Sequence, residues 1–479
     1  MIPFEQATRR AVLAGGASAL AACAAPPPVL PPTAAMDSEL DDLQRRTFDF
    51  FWETTNPKNG LAVDRWPTKA FSSIASVGFA LTAYPIGIER GYVPRAAARD
   101  RVLATLRFLD TAPQGEAAAG MTGHKGFFYH FLDMETGRRF EDTELSTVDT
   151  ALLLGGVLFC QSYFTGTDAA ETEIRTLADA IYRRVDWRWA QAPAAMAPVI
   201  NMGWKPGKGH LEHGWRGYNE AMIVYLLALG SPTFAVEPAA WNAWTSEYDK
   251  TWGEFYGEPH LAFGPMFGHQ YSHVWVDFRG VRDAYMRRRG SDYFENSRKA
   301  TVAQRNYAIA NPRGWKGYDG EVWGLTACDG PADVKHAYRG EVREFRTYSA
   351  RGAGGGGNFD DGTLAPTAVG GSVPFAPEIT LPALSAMRRR YGENLYGRYG
   401  FIDAFNPSFD FDDAPPAVGR RVPGVGWFGP DYLGIDQGPI LAMIENHRTG
   451  LIWRVMRRNP YVRRGLQRAG FTGGWLERA

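Results

Sequence analysis

Cysteine is scarce in this chain. Only three occur in 479 residues, Cys23, Cys160 and Cys328, too few for a disulfide framework, and the two in the body of the chain cannot build a structural zinc site. Cys160 closes the apolar run Leu152-Leu153-Leu154-Gly155-Gly156-Val157-Leu158-Phe159 and reads as a buried thiol. A surplus of charge is missing too: Lys+Arg and Asp+Glu both number 52. That balance excludes the basic footprint of a nucleic-acid binder and the acidic tail of a solvating segment, so a neutral substrate fits best. Long apolar runs are absent; the N-terminal one, Ala11 to Ala22, is far shorter than the roughly 20 residues that a bilayer demands. No period of about 30–45 residues shows, which disfavours a solenoid. No HExxH signature exists, so the His269-x-x-x-His273 spacing is not read as a metal site, and neither a metal nor a cofactor is expected.

What the chain does hold begins at its N-terminus. Thr8-Arg9-Arg10 precedes the apolar run and Cys23 follows it, an arrangement similar to a twin-arginine export signal ending in a bacterial lipobox. Residues 1–23 are read as that signal, with Cys23 the lipidated first residue of the mature protein. The Pro/Ala-rich residues 24–37 are read as a stiff tether, and 38–479 as one domain. The expectation is a lipid-anchored monomer of the bacterial periplasm, attached to the membrane through its anchor alone.

Helical periodicity dominates the rest. Leu40, Leu43, Thr47, Phe50 and Phe51 define a first helix, Ile74 to Ile88 a second and Val102 to Leu109 a third. Further helices are expected at about 145–165, 171–186, 219–230, 237–255, 274–289, 292–310, 376–391, 436–449 and 452–469. The aromatic run Gly126 to Leu132 and the turn Asp133 to Gly137 predict a small hairpin. Some helices are amphipathic, as with Ile174, Leu177, Ala178, Ile181 and Val185; others are apolar almost all round. Those two classes are the outer and inner helices of an all-α (α/α)6 toroid with short β-hairpins in its loops. Gly352-Ala353-Gly354-Gly355-Gly356-Gly357-Asn358 lacks the lysine of a phosphate loop and reads as a mobile surface loop.

Polar clusters mark where chemistry could sit. Glu220 lies where the loop His213, Trp215, Arg216, Tyr218, Asn219 runs into the apolar repeat Ala221, Val224, Tyr225, Ala228; it is either a general acid on a firm scaffold or a first-turn acid answering its helix dipole. Glu141, Glu144 and Asp149 flank the start of another apolar helix, with Asp149 either holding a sugar hydroxyl or capping loop amides. His269, Tyr271, His273, Trp275 and Asp277 recur at every second position before Arg279, so an extended segment would aim them to one side. Trp323 and Asp329 form a further cluster with Asp436, which a helix N-terminus would keep ionised as a base. Aromatic residues reach 13%, with 15 Trp and 21 Tyr, a composition suited to sugar stacking and to large helical cores alike.

Across the chain these segments resemble glycoside hydrolase family 144, the bacterial β-1,2-glucanases, within the wider glycoamylase-like group. The resemblance is carried by residues 48–53, Glu144-Leu145-Ser146-Thr147-Val148-Asp149, Gly217-Tyr218-Asn219-Glu220-Ala221, Gly268-His269-Gln270-Tyr271 through Arg279, residues 325–331, Pro374-Phe375-Ala376-Pro377-Glu378 and Asp436-Gln437-Gly438-Pro439-Ile440. It implies the (α/α)6 fold and hydrolysis of β-1,2-glucan with inversion. Glu220 would be the general acid, Asp436 the candidate base, and Glu141 and Glu144 carboxylates near the cleaved bond. Asp149, Trp215, Arg216, Tyr218, Asn219, His269, Tyr271, His273, Trp275, Asp277, Arg279, Trp323, Asp329 and Glu378 would bind the glucan. An exo-acting, differently linked or transglycosylating enzyme on the same toroid, or a non-catalytic glycan-binding lipoprotein, remains open at this stage.

Overall fold

The computed structural model describes residues 34–477 except 69–70, 192 and 355–357. The export signal and most of the tether therefore lie outside the described residues. Sixteen α-helices are found among them: α1 Ala34–Thr54, α2 Ile74–Glu89, α3 Arg95–Thr111, α4 Thr147–Tyr163, α5 Ala169–Arg183, α6 Met222–Gly230, α7 Ala239–Thr245, α8 Tyr248–Thr251, α9 Phe267–Trp275, α10 Ala284–Arg289, α11 Tyr293–Ala310, α12 Pro366–Gly370, α13 Pro377–Tyr391, α14 Gly434–Arg448, α15 Leu451–Met456 and α16 Pro460–Arg468. Residues 34–37, expected as tether, already belong to α1.

Six helices close an inner ring. α2 packs between α4 and α14, α4 meets α6, α6 meets α9, and α12 bridges to α14 while Gln270 of α9 donates to the Ala368 carbonyl of α12 at 2.9 Å. Outside them lie α1 against α2 and α14, α3 against α2, α5 against α4, α16 against α6, α11 against α9 and α13 against α12. The burial pattern follows this division. α4 is buried continuously from Asp149 to Cys160, whereas α5 buries only Glu171, Ile174, Ala178, Ile181 and Tyr182, as an outer helix with one wet side must.

The tightest seam joins α2 to α4. A Cβ on Gly156 would stand 2.1 Å from the Gly78 carbonyl oxygen, and one on Gly78 would stand 2.3 Å from that of Leu152. The two backbones approach so closely that only hydrogen fits between them, which is why an apolar helix carries Gly156; Gly155 instead makes room for the Trp275 ring, 2.5 Å from where its Cβ would stand.

Several expected helices are interrupted, each for a local reason. The helix expected at 237–255 yields after Thr251 to a hairpin in which Trp252–Phe255 pairs with Glu258–Leu261, turned by Tyr256 at φ 50° and Gly257 at φ 84°. The stretch 452–469 divides at Asn459-Pro460, where the Asn459 side chain accepts from Tyr461 and Val462 amides and caps α16. α12, unforeseen, is only a single turn beginning at Pro366. The hairpin around 126–132 is present: Gly123–His124 pairs with Phe127–Phe128, and Leu132 bridges Arg139 across the following turn. Of the glycine-rich loop, 355–357 lie outside the described residues, while Gly352 sits against the Gly264 backbone and the Ala353 amide donates to the Gly264 carbonyl at 3.3 Å, so its first residues are packed down.

Candidate active site

All six inner helices begin at the same end of the ring, and the acids gather there. Asp149 stands in the first turn of α4, Glu220 just before α6 and Asp436 in the first turn of α14. Aligned N-termini concentrate partial positive charge at one mouth, which favours negative groups there.

Glu220 is held by its backbone. The Asn219 side chain accepts from the Ala221 amide at 3.0 Å and donates to the Arg216 carbonyl at 3.1 Å, closing the turn that Gly217, at φ 71°, makes possible. From α9, the Ser272 hydroxyl donates to the Glu220 carbonyl at 3.1 Å and accepts from the Ile223 amide at 3.0 Å. The carboxyl is thus aimed by two inner helices while the residue stays half-buried. Its Oε2 is enclosed with no hydrogen-bond partner. Burial, followed by the negative charge of Asp149, pushes its pKa up to about 7.

Beside it runs a second polar chain. The Ser146 hydroxyl donates to Asp149 at 2.5 Å, and His130 stands between two acids, its Nδ1 2.9 Å from Glu144 and its Nε2 3.5 Å from Asp149. Burial opposes charging the imidazole, yet Asp149 and Glu144 together raise its pKa to about 9. The hydrogen bond from His130 in turn lowers Glu144 to about 2. Glu144 is therefore an ionised partner of His130 rather than a proton donor. Glu141 lies exposed on the turn before it, at φ 47°, and makes no contact to the other acids among the described residues.

The facing wall is built from α14 and the loops beside it. Arg65 donates to Asp329 at 2.8 Å and to Asp64 at 3.2 Å, and the Asp329 amide donates to Asp403 at 2.9 Å. Asp403 and Asp436 are both buried and lie close enough for each to shift the other's titration. Burial and then the Asp329 charge raise Asp403 to about 7; burial and then Asp403 hold Asp436 well above the carboxylate range. The helix N-terminus was expected to keep Asp436 ionised. Desolvation and three neighbouring acids outweigh the dipole, so the pair retains a proton.

Tyr271 ties the walls together. Burial, then Asp436, Tyr348, Glu220 and Asp149 in turn, disfavour ionising its hydroxyl, so charges from both walls reach the same ring. Asp436, Glu220 and Asp149, from three separate inner-helix starts, thus act on one side chain.

The expected extended segment at 268–279 is instead α9, and the helical period splits its members. His269 and His273 face α11: the Ser297 hydroxyl contacts the His269 carbonyl at 3.0 Å and the His273 ring at 3.1 Å, and burial lowers His273 to about 3. Tyr271 and Trp275 face Phe79 of α2, with ring centroids 6.1 and 5.3 Å away. Tyr271, one turn nearer the helix start, is buried within reach of the acids' charge; Trp275 is sealed in the core, its indole donating to Thr82 at 3.0 Å. Asp277 lies beyond the C-terminus of α9, at the far end of the ring, paired with Arg279 at 2.8 Å and with Arg457. Tyr218 stacks on Tyr293 in the core, Trp215 donates to Thr147 at 2.9 Å as it packs under the mouth, and Trp323 is fully buried. Arg216 is exposed beside the Glu220 turn. Glu378 pairs with Arg298 at 2.5 Å on the outer helix α13. His269, His273 and Trp275 are turned away from the acids because alternation along the sequence and a helix disagree about which side a residue faces, while Asp277, Arg279, Tyr218, Trp323 and Glu378 are held by the core and ion-pair contacts just given.

Four site residues escaped the sequence reading. His130 sat in an aromatic run taken as a hairpin, and Arg65 in a loop without periodicity. Asp403, inside Phe401-Ile402-Asp403-Ala404-Phe405, carries the same signal that flagged Asp149, an acid among apolar neighbours. Tyr348, 62% exposed, pairs in register with Asp329 and stands at the rim. Among the described residues no group of three or more His, Cys, Asp or Glu is arranged to hold a metal ion.

This architecture has known relatives. The family model Glycoamylase, described as "Putative glucoamylase", matches residues 212–460, more than half of the chain. The chain belongs to this glycoamylase-like family, within glycoside hydrolase family 144. Another glycoamylase-like protein, an exo beta-1,2-glucooligosaccharide sophorohydrolase (non-reducing end) from Parabacteroides distasonis, is 30% identical over 460 residues, covering 90% of this chain and 57% of its own length. The chain thus spans little more than half of that curated relative. A glycoamylase-like structure from Bacteroides uniformis superposes with a TM-score of 0.77 at 32% identity, over 93% of this chain and all of its own. The endo-beta-1,2-glucanase of Chitinophaga pinensis, solved with sophorotriose and glucose, gives 0.77 at 27% identity over 92% of this chain and all of its own.

Proposed function

We propose that the protein hydrolyses β-1,2-linked glucan with inversion, using Glu220 as general acid and the Asp403–Asp436 pair as the base. The observation that carries this is the pair of unlike carboxyl environments acting on Tyr271: a lone, desolvated acid near pKa 7 and a buried pair of neighbouring carboxyls, both raised. The lone carboxyl has a proton to give, while the coupled pair of carboxyls is suited to take one up. Glu220 gives its proton to the glycosidic oxygen as the anomeric C–O bond breaks. A water, directly or through a substrate hydroxyl, adds to the anomeric carbon from the other face and yields its proton to the pair. Both sides return to their starting state by exchange with solvent.

His130, locked between Glu144 and Asp149, fixes Asp149 beside Glu220, so these acids tune the donor rather than transfer its proton. Tyr271, Arg65, Asp329 and the exposed ring of Tyr348 supply hydroxyl contacts and a stacking platform. The β-1,2 linkage is supported by the activities named for the Parabacteroides and Chitinophaga relatives. Lipidation of Cys23 and a periplasmic location belong to the same proposal and rest on the N-terminal sequence.

Incubation of the purified protein with β-1,2-, β-1,3- and α-1,4-glucans tests the reading. Only β-1,2-glucan is expected to be cut, with the product's anomeric configuration inverted by proton NMR, and Glu220→Gln is expected to slow cutting by roughly 10²–10⁴-fold without loss of sugar binding. Cleavage of α-1,4-glucan alone, or unsaturated products absorbing in the ultraviolet, would overturn it. Product sizes separate exo from endo action.

A further inference from the structure

The end of the ring remote from the mouth is basic, and nothing in the proposed hydrolysis uses it. Between Glu445 and Glu477 the chain carries seven arginines and no acid, although its overall charge is zero. A cleft there is lined by Arg95, Arg454, Arg457, Arg458 and Arg463 with Tyr163 and Trp475, against the single acid Glu89. It lies at the C-terminal ends of inner helices: Glu89 closes α2, Tyr163 closes α4, and Leu451 follows α14. Part of this charge is spent locally. Arg95 grips Glu171 at 2.7 Å, Arg457 pairs with Asp277, Arg463 donates to the Arg457 and Leu476 carbonyls at 3.4 and 3.0 Å, and Arg454 caps the Thr449 carbonyl. Arg454 and Arg458 nevertheless project from the surface, and no ion pair of the described residues engages either one.

The chain enters the described structure at this same end. Near the start of α1, Asp41 pairs with Arg448 at 2.5 Å and Gln44 donates to Glu445 at 2.7 Å, which also holds Arg90 just past α2. The first turns of α1 therefore lie beside the C-termini of α14 and α2. Ten residues separate Cys23 from Ala34, and fully extended they reach at most about 40 Å. A lipid on Cys23 would hold this face, and not the mouth, toward the bilayer.

We propose that the arginine face docks on anionic phospholipid headgroups, leaving the catalytic mouth pointing away from the membrane. The orientation rests on the anchoring reading of Cys23; the electrostatic contact does not. A single acyl chain gives marginal attachment, and a basic surface is the usual second signal, each cation near an anionic leaflet adding a further increment.

The test uses the full chain carrying Cys23→Ser, so that no lipid contributes, in sedimentation with vesicles. Binding is expected to vesicles of about 40% phosphatidylglycerol, absent with phosphatidylcholine alone, and lost at about 0.5 M salt. Arg454→Glu with Arg458→Glu is expected to weaken it at least about tenfold, and the milder Arg454→Gln with Arg458→Gln by less. Arg339→Glu with Arg420→Glu, removing equal charge elsewhere, is expected to do little, and glucan cleavage is expected to stay unchanged in all of them. No binding to anionic vesicles, equal binding to neutral ones, equal losses from both charge reversals, or displacement by inorganic phosphate would overturn the proposal. Mass spectrometry of the native N-terminus separately decides whether Cys23 carries lipid, so the two readings fail independently.

Discussion

As the proposed general acid Glu220 must be protonated to act, and burial pushes its pKa up from the ordinary 4.5 to about 7. The sign follows directly: below pH 7 the acid is loaded, and kcat/KM falls as pH rises through about 7. The base pair works in the other sense, gaining its negative charge as pH rises through a range lifted above the ordinary carboxylate one by burial and neighbouring acids. A bell-shaped profile results. Asp149→Asn removes the second cause of the Glu220 shift but not the first, which is burial. The alkaline limb should therefore move down only part of the way toward 4.5, while Glu220→Gln should cost roughly 10²–10⁴-fold in kcat. Initial rates of reducing-end release from β-1,2-glucan between about pH 5 and pH 9 read both effects, and a thermal melt shows that each variant is folded. A limb flat through pH 9, or one that Asp149→Asn shifts upward, would refute the assignment of Glu220.

Other consequences are more local. His130, raised to about 9 in the folded state, contributes stability that is complete below its unfolded value near 6.5 and lost as pH climbs through 9; Glu144, lowered to about 2, contributes stability lost as pH falls from 4.5 toward 2. Glu144→Gln should accordingly lower the melting temperature more at pH 6 than at pH 9.5, as differential scanning calorimetry would show. Gly156→Ala forces a methyl into the 2.1 Å approach of α4 to α2 and should cost about 1–3 kcal/mol by denaturant unfolding. Trp275→Phe should reduce stability and leave KM unchanged, because its ring is sealed in the core. Tyr348→Ala should do the reverse, raising KM by about 2- to 10-fold at constant stability.

The periodicity of 74–88, 145–165 and 171–186 announced real helices, and the contrast between all-apolar and one-sided patterns announced two rings. Glu220 and Asp149 were legible as well, each an acid abutting an apolar repeat. The pattern failed where two readings share one spacing. Alternate residues at 269–277 promised a strand face, yet α9 sends its histidines outward and its Tyr271 inward. Asp436 was visible as a helix-start acid, but its proton was not, since that depends on Asp403 and Asp329 from loops well separated along the chain.

By itself, then, the sequence determined which segments coil, which of their faces are dry, and that acids stand at helix starts; these are local properties, set by side-chain spacing within one or two turns. Only the tertiary structure decided which acids meet, which carry protons, and which end of the ring carries the arginines. Protonation and recognition depend on desolvation and on charges a few ångströms apart, and in a ring closed between α14 and α2 such neighbours come from opposite ends of the chain.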